Sequence, residues 1–311
     1  MIDADSHSHF RITQGAPIMT TSALNITDLG DGIVSLSLQI NPDRPRGGVV
    51  VLDAWLIDQI HFAMDRVEST RNLSGFMLES SSERVFVAGA DLAEIDAMDD
   101  TALHAYLKRA ADAFWRIAAL PCPSAAMVGK AALGGGLEIA MHCDGLIGVA
   151  APEGSKPFRV GLPEAGLGIC PGWGGTQCLP ARIDPLIAIK ATATGETFSS
   201  AALPAGLFDA IAPSVDAARS TATAWLRGHA KQRSIRCIRE DQGFGMPGVP
   251  EALAKARNEL PESPAAIAVC DLVQFGLDHG WSAACERERH TLVGLRHTPQ
   301  AREKLAGFLK K

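Results

Sequence analysis

An α/β fold closed by a helical C-terminal region is expected from three observations. Apolar residues alternate with a period of two near residue 36, strand-like and helix-like runs then take turns, and beyond residue 185 the pattern is predominantly helical. Val34, Leu36, Leu38 and Ile40 face one way and Ser35, Ser37 and Gln39 the other, which predicts a strand with one buried face. The turn-rich run NPDRPRGG follows, after which Leu56, Ile60, Ala63, Met64 and Val67 recur at helical spacing. A strand at 75–79 leads through a loop to an amphipathic helix carrying Leu103, Tyr106, Leu107, Ala110, Phe114 and Ile117 on one stripe. A third strand, 124–128, runs into the glycine triplet at 134–136. The chain divides into a flexible tail over 1–18, a sheet-containing core over 19–211 and a helical region over 212–311.

Composition narrows the function. With 311 residues, 47% hydrophobic and 21% charged, the chain can bury a sizeable core. Its 29 Lys and Arg against 35 Asp and Glu, a net charge of −6, argue against nucleic acid as a partner. The seven cysteines form no CxxC pair and suit a reducing compartment. No apolar run reaches membrane-span length, and MIDADSHSHFRITQ lacks the features of a secretion signal, so the expectation is a cytoplasmic protein. Asp5, His7 and His9 imitate a D-x-H-x-H metal motif, but that motif needs a buried strand ahead of it and only four residues precede this one, so no metal site is expected.

Two stretches put glycine where a strand ends and a helix starts, and a helix start offers unpaired N–H groups at the positive end of the dipole. In FVAGADLAEI, Asp91 and Glu94 have capping-box spacing, so a helix is expected just after Ala90. In ALGGGLE, three glycines allow close backbone approach, and Glu138 stands in the first helical turn beside them. A second carboxylate, Glu164, is set among the small and apolar residues of GLPEAGLGICPGWGGT, where burial would raise its pKa. Two carboxylates in different surroundings can divide base and acid roles. The bland alternative is two unrelated structural glutamates, one capping a helix and one bonding loop amides.

FVAGADLAEI, PCPSAAMVGKAALGGGLEIAMHCD and GLPEAGLGICPGWGGTQCLPARI together resemble the crotonase superfamily in order and near spacing, and the ending HTPQAREKLAGFLKK resembles the close of the hydratase/isomerase domain of multifunctional fatty-acid oxidation proteins. The resemblance implies a crotonase-like spiral of ββα turns with a helical cap, acting on 2-enoyl-coenzyme A thioesters with no cofactor beyond the coenzyme A of the substrate. It implies Ala90 and Gly135 as backbone donors to the thioester oxygen, Glu138 as the base that activates water and Glu164 as the acid that protonates C2. Ala88, Asp91, Leu92, Gly172, Trp173 and Lys311 are implied to meet the substrate or its coenzyme A. Isomerisation of 3-enoyl thioesters in the same site, and a catalytically weak acyl-coenzyme A binding protein, are the alternatives. A homo-oligomer is implied. So is a separate 3-hydroxyacyl-CoA dehydrogenase, because no G-x-G-x-x-G follows a strand here and the chain reads as the hydratase half standing alone.

Some residues depart from the family pattern or stand outside it. Ala93 replaces a lysine that meets coenzyme A phosphates in some members, and 151–157 reads as an inserted surface loop. Trp173 reads equally as core packing or as a wall limiting acyl length. Arg227, Lys231, Arg233, Arg236 and Arg239 read as a solvated face, and His142 as a core histidine that could otherwise pair with Glu138. Cys143 and Cys170 lack a neighbouring base to activate them.

Overall fold

The computed structural model describes residues 22–150, 154–231, 235–239 and 247–310. The tail over 1–18, with Asp5, His7 and His9, and also Arg233 and Lys311 therefore lie outside the described residues. Strand β1 (Asn25–Asp28) pairs antiparallel with β2 (Ile33–Leu38), and α1 (Ala54–Glu68) follows. Asp53 caps α1 by accepting from Leu56 N at 2.8 Å, and its other oxygen takes the Asn41 amide at 2.6 Å. Three turns of the chain then repeat one plan, each giving a strand to either of two sheets. The first is β3 (Gly75–Ser80), β4 (Val85–Val87) and the helices α2 (Leu92–Ala97) and α3 (Asp100–Ala118). The second is β5 (Ser124–Val128), β6 (Ala131–Leu133) and α4 (Gly135–Met141). The third is β7 (Gly145–Val149), β8 (Arg159–Gly161), the 3-10 turn Glu164–Leu167, α5 (Gly175–Cys178) and α6 (Pro185–Thr194).

Adding β9 (Thr197–Ser199) and β10 (Ala210–Ala212) completes a six-stranded sheet in the order β1-β2-β3-β5-β7-β10 and a four-stranded sheet in the order β4-β6-β8-β9. Pairing is parallel except for β1 with β2 and β8 with β9. This is the crotonase-type spiral of ββα turns. Beyond β10, every described element is helical: α7 (Val215–Gly228), α8 (Val249–Glu259), α9 (Pro264–His279), α10 (Trp281–Leu295) and α11 (Pro299–Leu309). Among the described residues no helix is long and apolar enough to cross a membrane.

One strand differs from its expectation. Alternation predicted a single buried face for β2, yet Ser35 is buried as fully as Leu36. The cause lies far along the chain: Ala222 and Leu226 of α7 pack with Ile33, Met77, Ala125 and Ile147 on the second face of the large sheet. Parallel sheets are covered on both faces by their crossover helices, and short polar residues such as Ser35 fit where α7 crosses. The basic run after α7 is also not a free solvated face. Lys231 reaches Asp144 at 3.1 Å, Arg236 reaches Asp209 at 3.1 Å, and Arg239 donates to the carbonyls of Leu277 and Asp278 at the end of α9. These cations tie Lys231 and residues 235–239 to the core. Of the expected surface loop over 151–157, residues 154–157 are exposed and 151–153 lie outside the described residues.

Truncating Leu226 to Ala should cost about 2–5 kcal/mol, the range for such a large-to-small change in a core. Urea unfolding would measure it, and a loss below about 0.5 kcal/mol, the usual size of a surface substitution, would show that α7 does not seal the second face.

Candidate active site

The site forms where the small sheet hands over to helices. Asp91 caps α2 as expected, its Oδ1 accepting from Ala93 N and Glu94 N at 3.1 and 3.2 Å. Glu94 does not return to close a capping box; its Oε2 takes Ala54 N at 3.0 Å, at the start of α1. Just before the cap, Leu52 bridges Ala90 in parallel fashion: Leu52 N donates to Gly89 O at 2.9 Å and Asp91 N to Leu52 O at 3.2 Å. In such a bridge the flanking residues make the bonds, so the amide of Ala90 itself points to the opposite side. Tyr106 of α3 holds the same Leu52 carbonyl through its hydroxyl at 2.5 Å.

The glycine triplet starts α4 under tight constraints. Gly134, at φ +54° and ψ −128°, occupies backbone space that L side chains rarely enter, and a Cβ there would lie 2.7 Å from Glu164 Oε1. A Cβ on Gly136 would lie 2.2 Å from Val87 O, so only glycine lets α4 settle against β4. Gly135 opens the helix, and its N–H has no intrahelical acceptor. A Cβ on Gly89 would lie 3.9 Å from Gly135 N, which sets the two helix starts side by side.

Around them lies a cavity of about 80 Å³ lined by Ala88, Ala90, Leu92, Gly135, Glu138, Glu164, Gly172 and Trp173, among others. Eight of the residues singled out in the sequence are thus brought together. Asp91 is not among the lining residues: besides capping α2, its carboxylate is paired with Arg46 and stands 3.7 Å from Arg44. Trp173 is both wall and core packing, since its Nε1 donates to Leu107 O at 2.9 Å and its ring meets Phe114 edge-on at 5.4 Å. Leu107, Ile95, Ile169 and Leu292 supply further apolar wall that the sequence reading did not assign.

Glu138 is 1% exposed, and its Oε1 accepts from Trp173 N and Gly175 N, both at 2.8 Å. Among the described residues, Oε2 of Glu138 and Oε2 of Glu164 are buried without a hydrogen-bond partner in the protein. Burial raises the Glu138 carboxyl well above the usual range, and the charges of Glu164 and Glu288 add to this against the two amides. Burial pushes Glu164 up to about 8. A third carboxylate escaped the sequence reading: Glu288 of α10 is fully buried, accepts from Gly174 N at 2.6 Å, Thr176 N at 3.0 Å and the Thr176 hydroxyl, and is pushed up to about 7 by burial against those donors. One signal for it existed. Position 288 falls on the apolar stripe formed by Trp281, Ala284, Cys285, Leu292 and Leu295, where a carboxylate is out of place.

His142 does not pair with the Glu138 carboxylate. Its Nδ1 contacts the Glu138 carbonyl at 2.9 Å, its ring lies edge-on to Phe114 and Trp281, and burial lowers its pKa to about 4. The Cys143 and Cys170 thiols are buried, and burial raises their pKa values, that of Cys143 to about 12. Among the described residues no group of three or more His, Cys, Asp or Glu is placed to hold a metal ion.

Residues 38–239 match the family model described as enoyl-CoA hydratase/isomerase. The chain belongs to the enoyl-CoA hydratase/isomerase family. Family relatives include the fatty acid oxidation complex subunit alpha of Vibrio campbellii, 31% identical over 254 residues that cover 79% of this chain and 36% of that protein. The same subunit of Aliivibrio fischeri is 29% identical over 83% of this chain and 38% of its own length. The chain thus spans little more than a third of these curated relatives. Among solved structures, a human mitochondrial delta3-delta2-enoyl-CoA isomerase superposes with TM-score 0.64 at 21% identity, over 92% of this chain and 96% of that one. An enoyl-CoA hydratase from Bacillus halodurans gives 0.63 at 18% identity, over 92% and 100%. These likenesses establish the fold.

A carboxyl whose pKa is higher folded than unfolded binds more protons in the folded state, so its ionisation costs stability as pH rises from about 4.5 through the folded value. Glu164→Gln should therefore leave Tm unchanged at pH 4 and raise it by about 2 °C or more at pH 8, as for a gain of about 1 kcal/mol. Equal Tm values for the two proteins at pH 8 would show that Glu164 is not held proton-bound by burial.

Proposed function

We propose that the chain is an enoyl-CoA hydratase, adding water syn across the double bond of 2-enoyl-coenzyme A thioesters. The observation that carries this reading is that Glu138 and Glu164 line one cavity, each with a buried oxygen free of protein partners, beside the amides of Ala90 and Gly135. Like charges confined in one cavity are not both ionised cheaply, so near neutral pH the pair holds a proton between its members.

In the proposed mechanism the thioester oxygen accepts from Ala90 N–H and Gly135 N–H. Attack at C3 pushes an electron pair through the double bond onto that oxygen, and donors aimed at developing charge are often the largest catalytic factor. Glu138, as carboxylate, takes one proton of the water while its oxygen bonds to C3. Glu164, as acid, gives a proton to C2 and the carbonyl re-forms. Glu138 now holds the proton taken from water and Glu164 lacks the one it gave to C2, so a proton passed from Glu138 to Glu164 restores the starting pair. Leu92, Ile95, Leu107, Ile169 and Leu292 keep the acyl group in apolar surroundings. In its ionised form the same Glu164 suits a second reaction, taking a proton from C2 of a 3-enoyl thioester and returning it to C4.

Loss of the conjugated enoyl-thioester absorbance across a chain-length series tests the reading. Wild type should hydrate the 2-enoyl substrates, and Glu138→Gln and Glu164→Gln should each lose at least about a hundredfold in kcat, the lower range for a positioned acid or base. Folded wild type that binds acyl-coenzyme A without turnover would overturn it in favour of a binding protein. Activity on 3-enoyl thioesters alone would favour the isomerase.

A further inference from the structure

The turn 173–176 presents its four consecutive amides alternately to two carboxylates. Trp173 N and Gly175 N donate to Glu138 Oε1, while Gly174 N donates to Glu288 Oε2 and Thr176 N to Glu288 Oε1. We infer that Glu288 is a positioning residue for Glu138: from α10 it clamps the far side of the turn whose near side orients the Glu138 carboxylate, and it sets that carboxylate's basicity through its charge.

The geometry leaves the turn little freedom. Gly174 has φ +92°, and a Cβ there would lie 2.2 Å from the Trp281 ring, so the turn is pressed onto the start of α10. Glu288 itself is fully buried and is not among the residues lining the cavity, so it acts through the turn rather than on substrate. The charges and titratable groups around it are Glu138 on α4, Glu164 on the 3-10 turn, Arg289 on its own helix, and the thiols of Cys170, Cys178 and Cys285. The Cys170 Sγ–H donates to the Glu288 carbonyl at 3.9 Å. Glu138 and Glu164 are both acids, so an ionised Glu288 makes every proton in the cavity harder to remove, which suits a base that must take one from water.

The inference rests on the hydratase reading only for its kinetic arm. Its other arm follows the glutamate carboxyls by 13C labelling, with Glu138→Gln and Glu164→Gln to assign the signals. Glu288→Gln removes the charge and, because its NH2 cannot accept from the turn, one side of the clamp. Glu288→Asp keeps the charge but is one methylene too short to reach both amides. In Glu288→Gln the Glu138 carboxyl should titrate about one unit lower, the low end of shifts caused by a nearby charge. The acidic limb of the kcat/KM profile should move the same way, with kcat falling about a hundredfold, as for a misplacement of about 1 Å, and KM nearly unchanged. Glu288→Asp should lose kcat with the limb in place. Thr176→Val serves if either variant fails to fold: it deletes one donor to Glu288 and no charge, so the Glu288 titration should move up. A folded Glu288→Gln with the Glu138 titration unmoved and kcat within about twofold of wild type would overturn the inference; so would an unmoved Glu288 titration in Thr176→Val. If wild type has no hydratase activity, the proposed function fails, while a shifted Glu138 titration in Glu288→Gln still supports the coupling.

Discussion

The sharing of one turn's amides between two buried carboxylates is the constraint on which the rest of the site depends. A four-residue turn buried in the core would leave four N–H groups without partners, and each would cost about 1–3 kcal/mol. Glu138 and Glu288 would each be a buried charge without donors, which is costlier still. Together these groups satisfy one another: Trp173 and Gly175 face Glu138, and Gly174 and Thr176 face Glu288. The consequence for architecture is that α10, in the C-terminal helical region, is bonded directly into the machinery carried by the spiral. Helix α10 is therefore part of the site, and Leu292, one helical turn beyond Glu288, lines the cavity.

The spiral explains why two separate amides converge. Each ββα turn sends its second strand into the small sheet, and a helix starts where that strand ends: β4 leads to Ala90 and α2, and β6 leads to Gly135 and α4. Because β4 and β6 are parallel neighbours, their ends lie side by side, and so do the two helix starts. Gly136 lets α4 approach Val87, and the Leu52 bridge turns the amide of Ala90 away from its own ladder. The third turn adds Glu164 against Gly134, completing the set from successive rungs of one repeat.

Much of this was legible in the sequence because it is local. The helices around Leu56 and Leu107 follow from periodicity and the two helix starts from glycine motifs whose chemistry is confined to a few residues, while the gathering of Ala90, Gly135, Glu138 and Glu164 into one site was implied by the family resemblance and not by the motifs themselves. What was not legible depends on partners distant in sequence. Ser35 looks like a solvent-facing residue until α7 is known to cover it. Glu94 has capping-box spacing, yet the start of α1 competes for its carboxylate. Lys231, Arg236 and Arg239 look solvated until Asp144, Asp209 and the end of α9 are placed opposite them, whereas Arg227 does stay on the surface. Glu288 is the sharpest case, lying more than a hundred residues from the turn it holds and written into a charged stretch, CERERHT, that reads as surface.

The proposed reaction adds water across the double bond, with the new hydroxyl and the new C2 hydrogen on one face. Running the reaction on a 2-enoyl thioester in deuterated water and reading the product by NMR tests that proposal most directly. The account predicts a 3-hydroxyacyl thioester carrying a single deuterium at C2, on the same face as the new hydroxyl. Deuterium at C4 with no 3-hydroxyacyl product would contradict it, because the cavity would then move protons along the acyl chain without adding water.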